Sequence, residues 1–244
     1  MRFFSLLASV IFFSLAAFAP VPAARAQAPV QTAARDEKLD HILRQLDEAA
    51  KRFHNTSADF EYDTVQTDPV PDKDVQKGSV YYEREGKTLE MAAHINERNG
   101  HAINNIYTYT NSVLRLYSGA DNKVTTYNKV SQFESYLMLG FGASGHDLED
   151  KWEIRYIGPE VLVDNGVKVK TENLELVAKD PAVRKTIPKV QIWIDTERGV
   201  SLKQVFQETG GEYRVSVYFN FKLNQPLPKS AFTLPAEGNN KTAK

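Results

Sequence analysis

The sequence contains no cysteine among its 244 residues. A lipid-anchored bacterial protein carries a cysteine at the start of its mature chain, and a small exported scaffold needs several cysteines for disulfide bonds. The absence of cysteine excludes both classes. The fold must instead be stabilised by a hydrophobic core, which a chain of this length is long enough to bury.

An excess of charge of one sign is also lacking. The chain has 30 Lys and Arg residues against 31 Asp and Glu residues, and its net charge is −1. No block of like charges occurs, so the sequence predicts neither a nucleic-acid partner nor attraction to an anionic membrane face. Beyond residue 26, no apolar run approaches the roughly 18 residues of a membrane-spanning helix.

A secretory leader is present at the N-terminus. Met1 and Arg2 provide a charged start, residues 3–19 are apolar, and Ala24-Arg25-Ala26 is a small-x-small cleavage site. We expect cleavage after Ala26, so that residues 1–26 are a signal peptide. Together with the missing cysteine, this leader predicts a soluble protein of the bacterial periplasm.

One amphipathic helix is predicted after a short lead-in. Residues 27–35 are rich in Ala, Pro and Gln and are expected to be flexible, and Asp36 is placed as the N-cap of the helix. Apolar residues then recur on one helical face: Leu39, Ile42, Leu43, Leu46, Ala49, Ala50 and Phe53. We expect this apolar stripe to pack on a larger element.

Short β-like runs separated by Gly, Asn and Asp follow residue 55 almost to the end of the chain. Apolar and polar residues alternate clearly in 190–194 and 213–221, with tight turns at 195–199 and 209–211. About ten strands, joined mostly by hairpins, are predicted, and a sheet of that size curls.

A second helix is predicted at 131–142, between strand runs. Phe133, Tyr136, Leu137 and Phe141 have helical spacing, and glycines end the segment. Two amphipathic helices can cover the concave face of a curled sheet. The predicted fold class is therefore mainly β (α+β), a curved incomplete antiparallel β-barrel covered by a helical lid. It forms a single domain over residues 36–236, followed by a polar tail at 237–244.

Residues 140–145 match the G-x-G-x-x-G string of dinucleotide-binding proteins. That string acts between a strand and a helix of a βαβ unit, whereas here it ends a predicted helix in a region without parallel βαβ patterning. Helix termination by glycine explains the string better. No cofactor is predicted.

No catalytic or metal-binding constellation is evident. His146 stands two residues after Ser144, where a nucleophile elbow requires glycine. None of the five histidines has a metal-ligand spacing, and the acidic residues Asp147, Glu149 and Asp150 are typical of a solvated turn. We therefore predict no metal and no enzymatic activity, and interpret the curled apolar sheet as a container for an apolar ligand.

Several segments of the chain follow one another in a recognisable order. These are the helix ending at Phe53, then 57–60 (SADF), 78–84 (GSVYYER), 114–117, 190–195 (VQIWID), 205–208, 219–221 (FNF) and 232–235 (FTLP). In order and spacing, nearly the whole mature chain resembles the periplasmic outer-membrane lipoprotein carrier family, the LolA-like proteins.

This resemblance implies both a fold and an activity. Family members are curved, incomplete antiparallel barrels closed by helices. They take an acylated lipoprotein from an inner-membrane ABC-type extraction complex and pass it to an outer-membrane lipoprotein acceptor. The missing cysteine would place this chain on the soluble carrier side of that pair, and a monomer is expected.

The resemblance also implies a role for one arginine. In the family, an arginine at the end of the strand that follows the glycine helps to hold the lid closed, and Arg84 stands at that place. Glu85 replaces the proline that usually comes next. The predicted ligand-binding wall is Val80, Tyr82, Leu89, Met91, Leu114 and Leu116, with Phe133, Leu137 and Phe141 in the lid. Plain core packing is the alternative for each apolar residue.

Other functions remain open from the sequence alone. The chain can be a carrier of another lipid, such as a glycolipid or a polyisoprenoid, because a wall of Leu, Tyr and Met specifies apolarity more than identity. It can also be a lipid-sensing regulatory binding protein of the same fold, a type that normally has a second C-terminal domain. A third and more distant alternative is an enzyme that hydrolyses an acyl ester through Ser144.

Overall fold

The computed structural model describes residues 28–86, 88–129, 134–137 and 139–235. The described residues form eleven strands and four helices. The helices are α1 (Ala28–Arg52), α2 (Glu134–Leu137), α3 (Gly145–Lys151) and α4 (Pro181–Thr186). The strands are β1 (Asn55–Gln66), β2 (Asp72–Glu85), β3 (Thr88–Arg98), β4 (His101–Thr110), β5 (Val113–Ser118), β6 (Lys123–Asn128), β7 (Trp152–Asp164), β8 (Val167–Ala178), β9 (Lys189–Asp195), β10 (Val200–Gln207) and β11 (Tyr213–Leu223).

All eleven strands belong to one antiparallel sheet. Its order is β6-β5-β4-β3-β2-β1-β11-β10-β9-β8-β7, so each strand pairs with its neighbour in sequence, except where β1 pairs with β11 and where β6 and β7 form the two edges. The predicted fold class, a mainly β protein built on an antiparallel sheet of hairpins, is confirmed. The count of about ten strands was one short.

The sheet is strongly curled. Three strands separate β7 from β11, and a flat sheet would hold them roughly 19 Å apart at about 4.8 Å per strand. Instead, Oδ1 of Asp164, at the end of β7, accepts a hydrogen bond of 2.8 Å from the backbone N–H of Asn220 in β11. The curl produces a concave face on which the apolar residues collect.

Helix α1 lies on the concave side with the predicted stripe inward. Ile42, Leu43, Leu46, Ala49 and Phe53 are buried, whereas the charged residues of the opposite face are mostly exposed. The prediction of an amphipathic helix packed on the sheet is thus confirmed.

The predicted start of this helix was wrong. Helix α1 begins at Ala28, so residues 28–35, expected to form a flexible lead-in, are its first turns, and Asp36 lies inside the helix rather than at its cap. Ala, Gln and Arg all favour helix, and Pro29 is tolerated in the first turn, where a backbone N–H has no helical partner. The predicted signal peptide at 1–26 and polar tail at 237–244 lie outside the described residues.

Two apolar clusters fill the concave side. The first joins α1, α3 and α4 to strands β7–β10 and contains Ile42, Leu46, Leu148, Leu174, Leu176 and Ile192. The second lies over β1–β4 and β11 and contains Phe53, Phe60, Val80, Tyr82, Tyr109, Phe141 and Tyr218.

The helix predicted at 131–142 is shorter in the structure. Helix α2 ends at Leu137, and Phe141 lies in extended backbone that forms an isolated bridge with Val200 of β10. Gly140 and Gly142 have φ angles of 77° and 72°, a left-handed conformation that no continuing helix contains. Helical spacing of the apolar residues therefore did not extend the helix through these glycines.

Candidate functional site

The candidate site is the apolar interior beneath the segment that crosses the concave face. We call this segment, residues 134–137 and 139–142, the lid segment. In the second apolar cluster, Val80, Tyr82, Met91 and Phe141 are buried, and Leu89, Leu114 and Leu137 are half-buried against them. The structure thus brings most of the predicted wall and lid residues together. Phe133 lies outside the described residues.

Tyr82 on β2 contacts the lid segment in two ways. Its ring stacks on the ring of Phe141 with centroids 4.0 Å apart, and its hydroxyl donates a hydrogen bond of 3.1 Å to the carbonyl of Leu137. Burial raises the pKa of Tyr82 well above its ordinary value, so the phenol keeps the proton that it donates.

Arg84 lies two residues further along β2, near the end of the strand. Its Nη2 donates a hydrogen bond of 2.7 Å to the carbonyl of Gly142, and its guanidinium lies 5.9 Å from the ring centroid of Phe53. Gly142 also fits closely against Phe53, because a Cβ at this position would come within 2.5 Å of that ring. Arg84 and Phe53 therefore hold the far end of the lid segment.

Strand β10 supplies further donors, which sequence reasoning did not find. Nε2 of Gln204 donates to the carbonyl of Leu139 at 2.6 Å, and the backbone N–H of Ser201 donates to the carbonyl of Gly140 at 2.8 Å. Gln204 is buried between Leu202 and Phe206 on the apolar face of the strand. The sequence offered one indication of this bond: Gln204 is a polar residue that alternates with Leu202 and Phe206 on the inward face of the strand. A buried amide needs a hydrogen-bond partner, so its presence there predicts one.

An apolar cavity of ≈ 430 Å³ adjoins the lid segment. Its volume falls within the range of roughly 300–1,000 Å³ found for small-molecule sites. Leu114, Leu116 and Leu137 of the predicted set contribute to its wall, together with Tyr127, Tyr136, Thr186, Ile187, Glu208 and Arg214. Arg214 and Glu208 form an ion pair of 2.6 Å, and the burial of Tyr136 raises the pKa of its phenol. The cavity is thus apolar with one charged pair in its wall.

A larger groove of ≈ 1110 Å³ has a different character. It is lined largely by polar and charged side chains of β1, β2, β11, the β7–β8 hairpin and the β9–β10 turn. Within it, Arg198 pairs with Asp164 at 2.7 Å and with Asp195 at 2.6 Å, and these bonds tie neighbouring hairpins together. None of the predicted site residues lines this groove.

Ser144 has a structural role. Its hydroxyl oxygen accepts a hydrogen bond from the backbone N–H of Asp147, and its own backbone N–H donates to the Asp147 carboxylate, which makes a capping box for α3. His146 stands beside Asp150 rather than Ser144. Within the described residues, no cluster of His, Cys, Asp or Glu is suited to a metal ion. None of the helices in the described ranges has the length and apolarity to cross a bilayer.

Together the fold and the lid segment define a class of protein, a curved antiparallel sheet whose concave apolar face is covered by helices. MucB has this fold, with 11% sequence identity and a TM-score of 0.50 over 82% of this chain and 64% of MucB, so the chain spans less than two thirds of the length of MucB. An uncharacterized conserved protein from Thermus thermophilus also has 11% identity and a TM-score of 0.50, over 82% of this chain and 95% of that protein.

A LolA superfamily protein from Nitrosomonas europaea aligns with 15% identity and a TM-score of 0.39, over 80% of this chain and 97% of that protein. The fold that the resemblance implies, a curved antiparallel sheet covered by helices, is confirmed by the structural similarity to MucB. No protein-family model and no curated protein sequence matches the chain.

Proposed function

We propose that this chain is an exported carrier that binds the acyl chains of lipoproteins in its apolar interior and moves them from the inner to the outer membrane. One observation carries the proposal. Four carbonyl groups of the lid segment, those of Leu137, Leu139, Gly140 and Gly142, accept hydrogen bonds from the sheet across an apolar interior. Such a cover closes the interior without a covalent link.

The energetics of acyl chains explain why a carrier needs an interior of this kind. Each methylene buried in a membrane contributes about 0.8 kcal/mol, so a chain of ordinary length resists leaving by on the order of 10 kcal/mol. A carrier must provide an apolar surface of similar extent. It must also hide that surface from water when it is empty, and the closed lid segment performs this task.

The bonds of the lid segment have a strength that suits reversible closure. A typical hydrogen bond contributes a net stabilisation of only about 1 kcal/mol, so a few of them hold the segment closed but yield to new apolar contacts. Cargo that enters beneath the lid would replace the Phe141 ring stacked on Tyr82 by its own methylenes. Arg84, with its charge-assisted bond, sets the balance between the closed and open states.

The proposal includes three partners: the acylated lipoprotein, an inner-membrane ABC-type complex that extracts it, and an outer-membrane lipoprotein that accepts it. The leader and the absence of cysteine support a freely diffusing form in the periplasm.

The test is mass spectrometry of what the protein retains after export with its own leader and purification from the periplasm. We expect acylated peptides. Leu116→Trp, which fills part of the 430 Å³ cavity, should reduce their amount, whereas Val217→Trp on the exposed side of β11 should leave it unchanged. Free glycolipid or polyisoprenoid without acylated peptide would identify the other lipid carrier, and equal retention by Leu116→Trp would exclude this cavity as the site.

A further inference from the structure

The hairpin of β7 and β8 carries an exposed apolar patch at its tip. Val161, Val163 and Val167 are 59%, 58% and 65% exposed, more than most apolar residues of a folded domain. Single exposed apolar residues are common and need no explanation. Val161 and Val163 lie on one face of the hairpin, whereas Val167 is paired with Asp164 on the other face. The exposed pair Val161 and Val163 is a feature that folding alone does not require.

Two lysines share a face with two of these valines. In the antiparallel pairing, Val161 lies opposite Lys170 and Val163 opposite Lys168, so all four side chains are on the same side of the hairpin. Both lysines are exposed. The hairpin therefore presents apolar side chains flanked by positive charge.

The carboxylates of the hairpin leave Lys168 without an ion pair among the described residues, and Lys170 shares Glu172 with Lys38. Asp164 pairs with Arg198, and Glu160 accepts a hydrogen bond from the indole of Trp193. Glu172 pairs with Lys38 at 2.9 Å and lies 3.9 Å from Lys170. Among the described ion pairs, none involves Lys168. The whole-chain charge of −1 hides this local excess of positive charge.

The hairpin is also held in place, which keeps the patch exposed. The two oxygens of Asp164 bind Arg198 Nη1 and the backbone N–H of Asn220, and both contacts lie on the face opposite to Val163. The tip is thus tied to β9–β10 and β11 through one face while the other face stays free.

We propose that this patch, Val161, Val163, Lys168 and Lys170, docks the protein on the surface of an anionic lipid bilayer. The valines enter the apolar zone below the headgroups, and the lysine ammonium groups lie among the phosphates. A bilayer meets both features at once. A partner strand added to the β7 edge would use in-plane backbone groups and would leave the valine and lysine face unsatisfied. The inference goes beyond the proposed function and does not require a loaded interior.

The test is flotation of the exported full chain with vesicles of phosphatidylglycerol and phosphatidylethanolamine, compared with vesicles of phosphatidylcholine alone. We expect binding to the anionic vesicles only, weakening as salt is added. Lys168→Gln with Lys170→Gln should weaken binding about fivefold per lysine, the equivalent of roughly 1 kcal/mol for each basic residue at an anionic surface. Val161→Thr with Val163→Thr, which keeps the β-branched shape at both positions, should abolish most of it.

Matched controls are available elsewhere on the chain. Val70→Thr changes a valine that is 67% exposed between β1 and β2, and Lys123→Gln changes an exposed lysine of β6, so both should bind like the wild type. Equal binding by the hairpin variants, equal binding to phosphatidylcholine, or no vesicle binding by the wild type would overturn the proposal. So would a dimer in light scattering that the valine variant loses, since the patch would then serve a second copy. Flotation reports protein on the bilayer, so none of these outcomes bears on acyl-chain binding in the interior.

Discussion

The rings of Tyr82 and Phe141 lie parallel, with an interplanar angle of 8° and centroids 4.0 Å apart, so that a strand and the lid segment meet through one stacked pair. The Tyr82 hydroxyl adds a hydrogen bond to the Leu137 carbonyl. Tyr82→Phe keeps the stack and removes only this bond, and should lower the free energy of unfolding by about 0.5–1.5 kcal/mol. Urea denaturation measures the loss. Tyr81→Phe, on the opposite face of β2, is the control and should change little; an equal loss in both variants would contradict a specific role for the Leu137 bond.

Arg84→Leu should favour the open state of the lid segment. The variant loses a charge-assisted bond to the Gly142 carbonyl, which contributes about 1.5–3 kcal/mol, so the closed state should become at least about tenfold less populated. Under the proposed function, a lid that closes poorly no longer displaces cargo. Retention of acylated peptide should therefore rise, and transfer to the acceptor should slow.

Transfer of a labelled lipoprotein from carrier to acceptor measures this effect. Arg155→Leu provides the control, because Arg155 is an exposed arginine whose partner, Glu175, lies away from the lid segment. Transfer by Arg84→Leu at the rate of the wild type would remove Arg84 from the mechanism.

Gln204→Leu should destabilise the closed protein although it makes the interior more apolar. The Leu139 carbonyl loses its donor at 2.6 Å, and the hydroxyl of Tyr218 loses its contact with the amide. An unsatisfied buried group costs about 1–3 kcal/mol. Thermal unfolding measures the change. Gln191→Leu alters the same residue type on the outward face of β9, and a fall in stability as large as that of Gln204→Leu would show that the carbonyl bond is unimportant.

Gly142→Ala should disturb the lid segment more than its backbone strain explains. Gly142 has a φ of 72°, and a Cβ there would lie 2.5 Å from the Phe53 ring. Gly166→Ala is the matched control, since its φ is 80° and no atom lies within 4 Å of its added Cβ. Both variants should lose about 1–2 kcal/mol through left-handed strain, and Gly142→Ala a further 1–3 kcal/mol or so through overpacking. Equal melting temperatures would show that Phe53 moves aside freely.

Residue periodicity predicted the local elements well and their limits less well. The stripe from Leu39 to Phe53 gave the inward face of α1 because burial of a helix follows its 3.6-residue period. The same rule extended the second helix through Gly140 and Gly142, where backbone conformation decides against the helix. The start of α1 was also predicted too late, because proline usually interrupts a helix. Pro29 lies in the first turn of α1, where proline is tolerated.

The candidate site was harder to predict than the fold, for a physical reason. Val80, Tyr82 and Met91 lie on adjacent strands, so alternation along each strand was enough to place them on one face. The bond from Gln204 to the Leu139 carbonyl joins residues far apart in sequence and depends on the curl of the sheet. Neither periodicity nor composition predicts such a contact. The exposed valines of the β7–β8 hairpin could not be distinguished from core residues in the sequence either.

The pairing of β1 with β11 has a consequence for how the molecule is made. The first strand finds its neighbour only when the last strand, at Tyr213–Leu223, is available, and contacts so distant in sequence slow folding. Until then one edge of β1, in the β1–β2 hairpin, has unpaired backbone N–H and C=O groups, which can pair with a strand of another chain. The β1–β11 pair therefore forms only after β11 has been synthesised. A chaperone that shields β1 until then would improve the yield of folded protein.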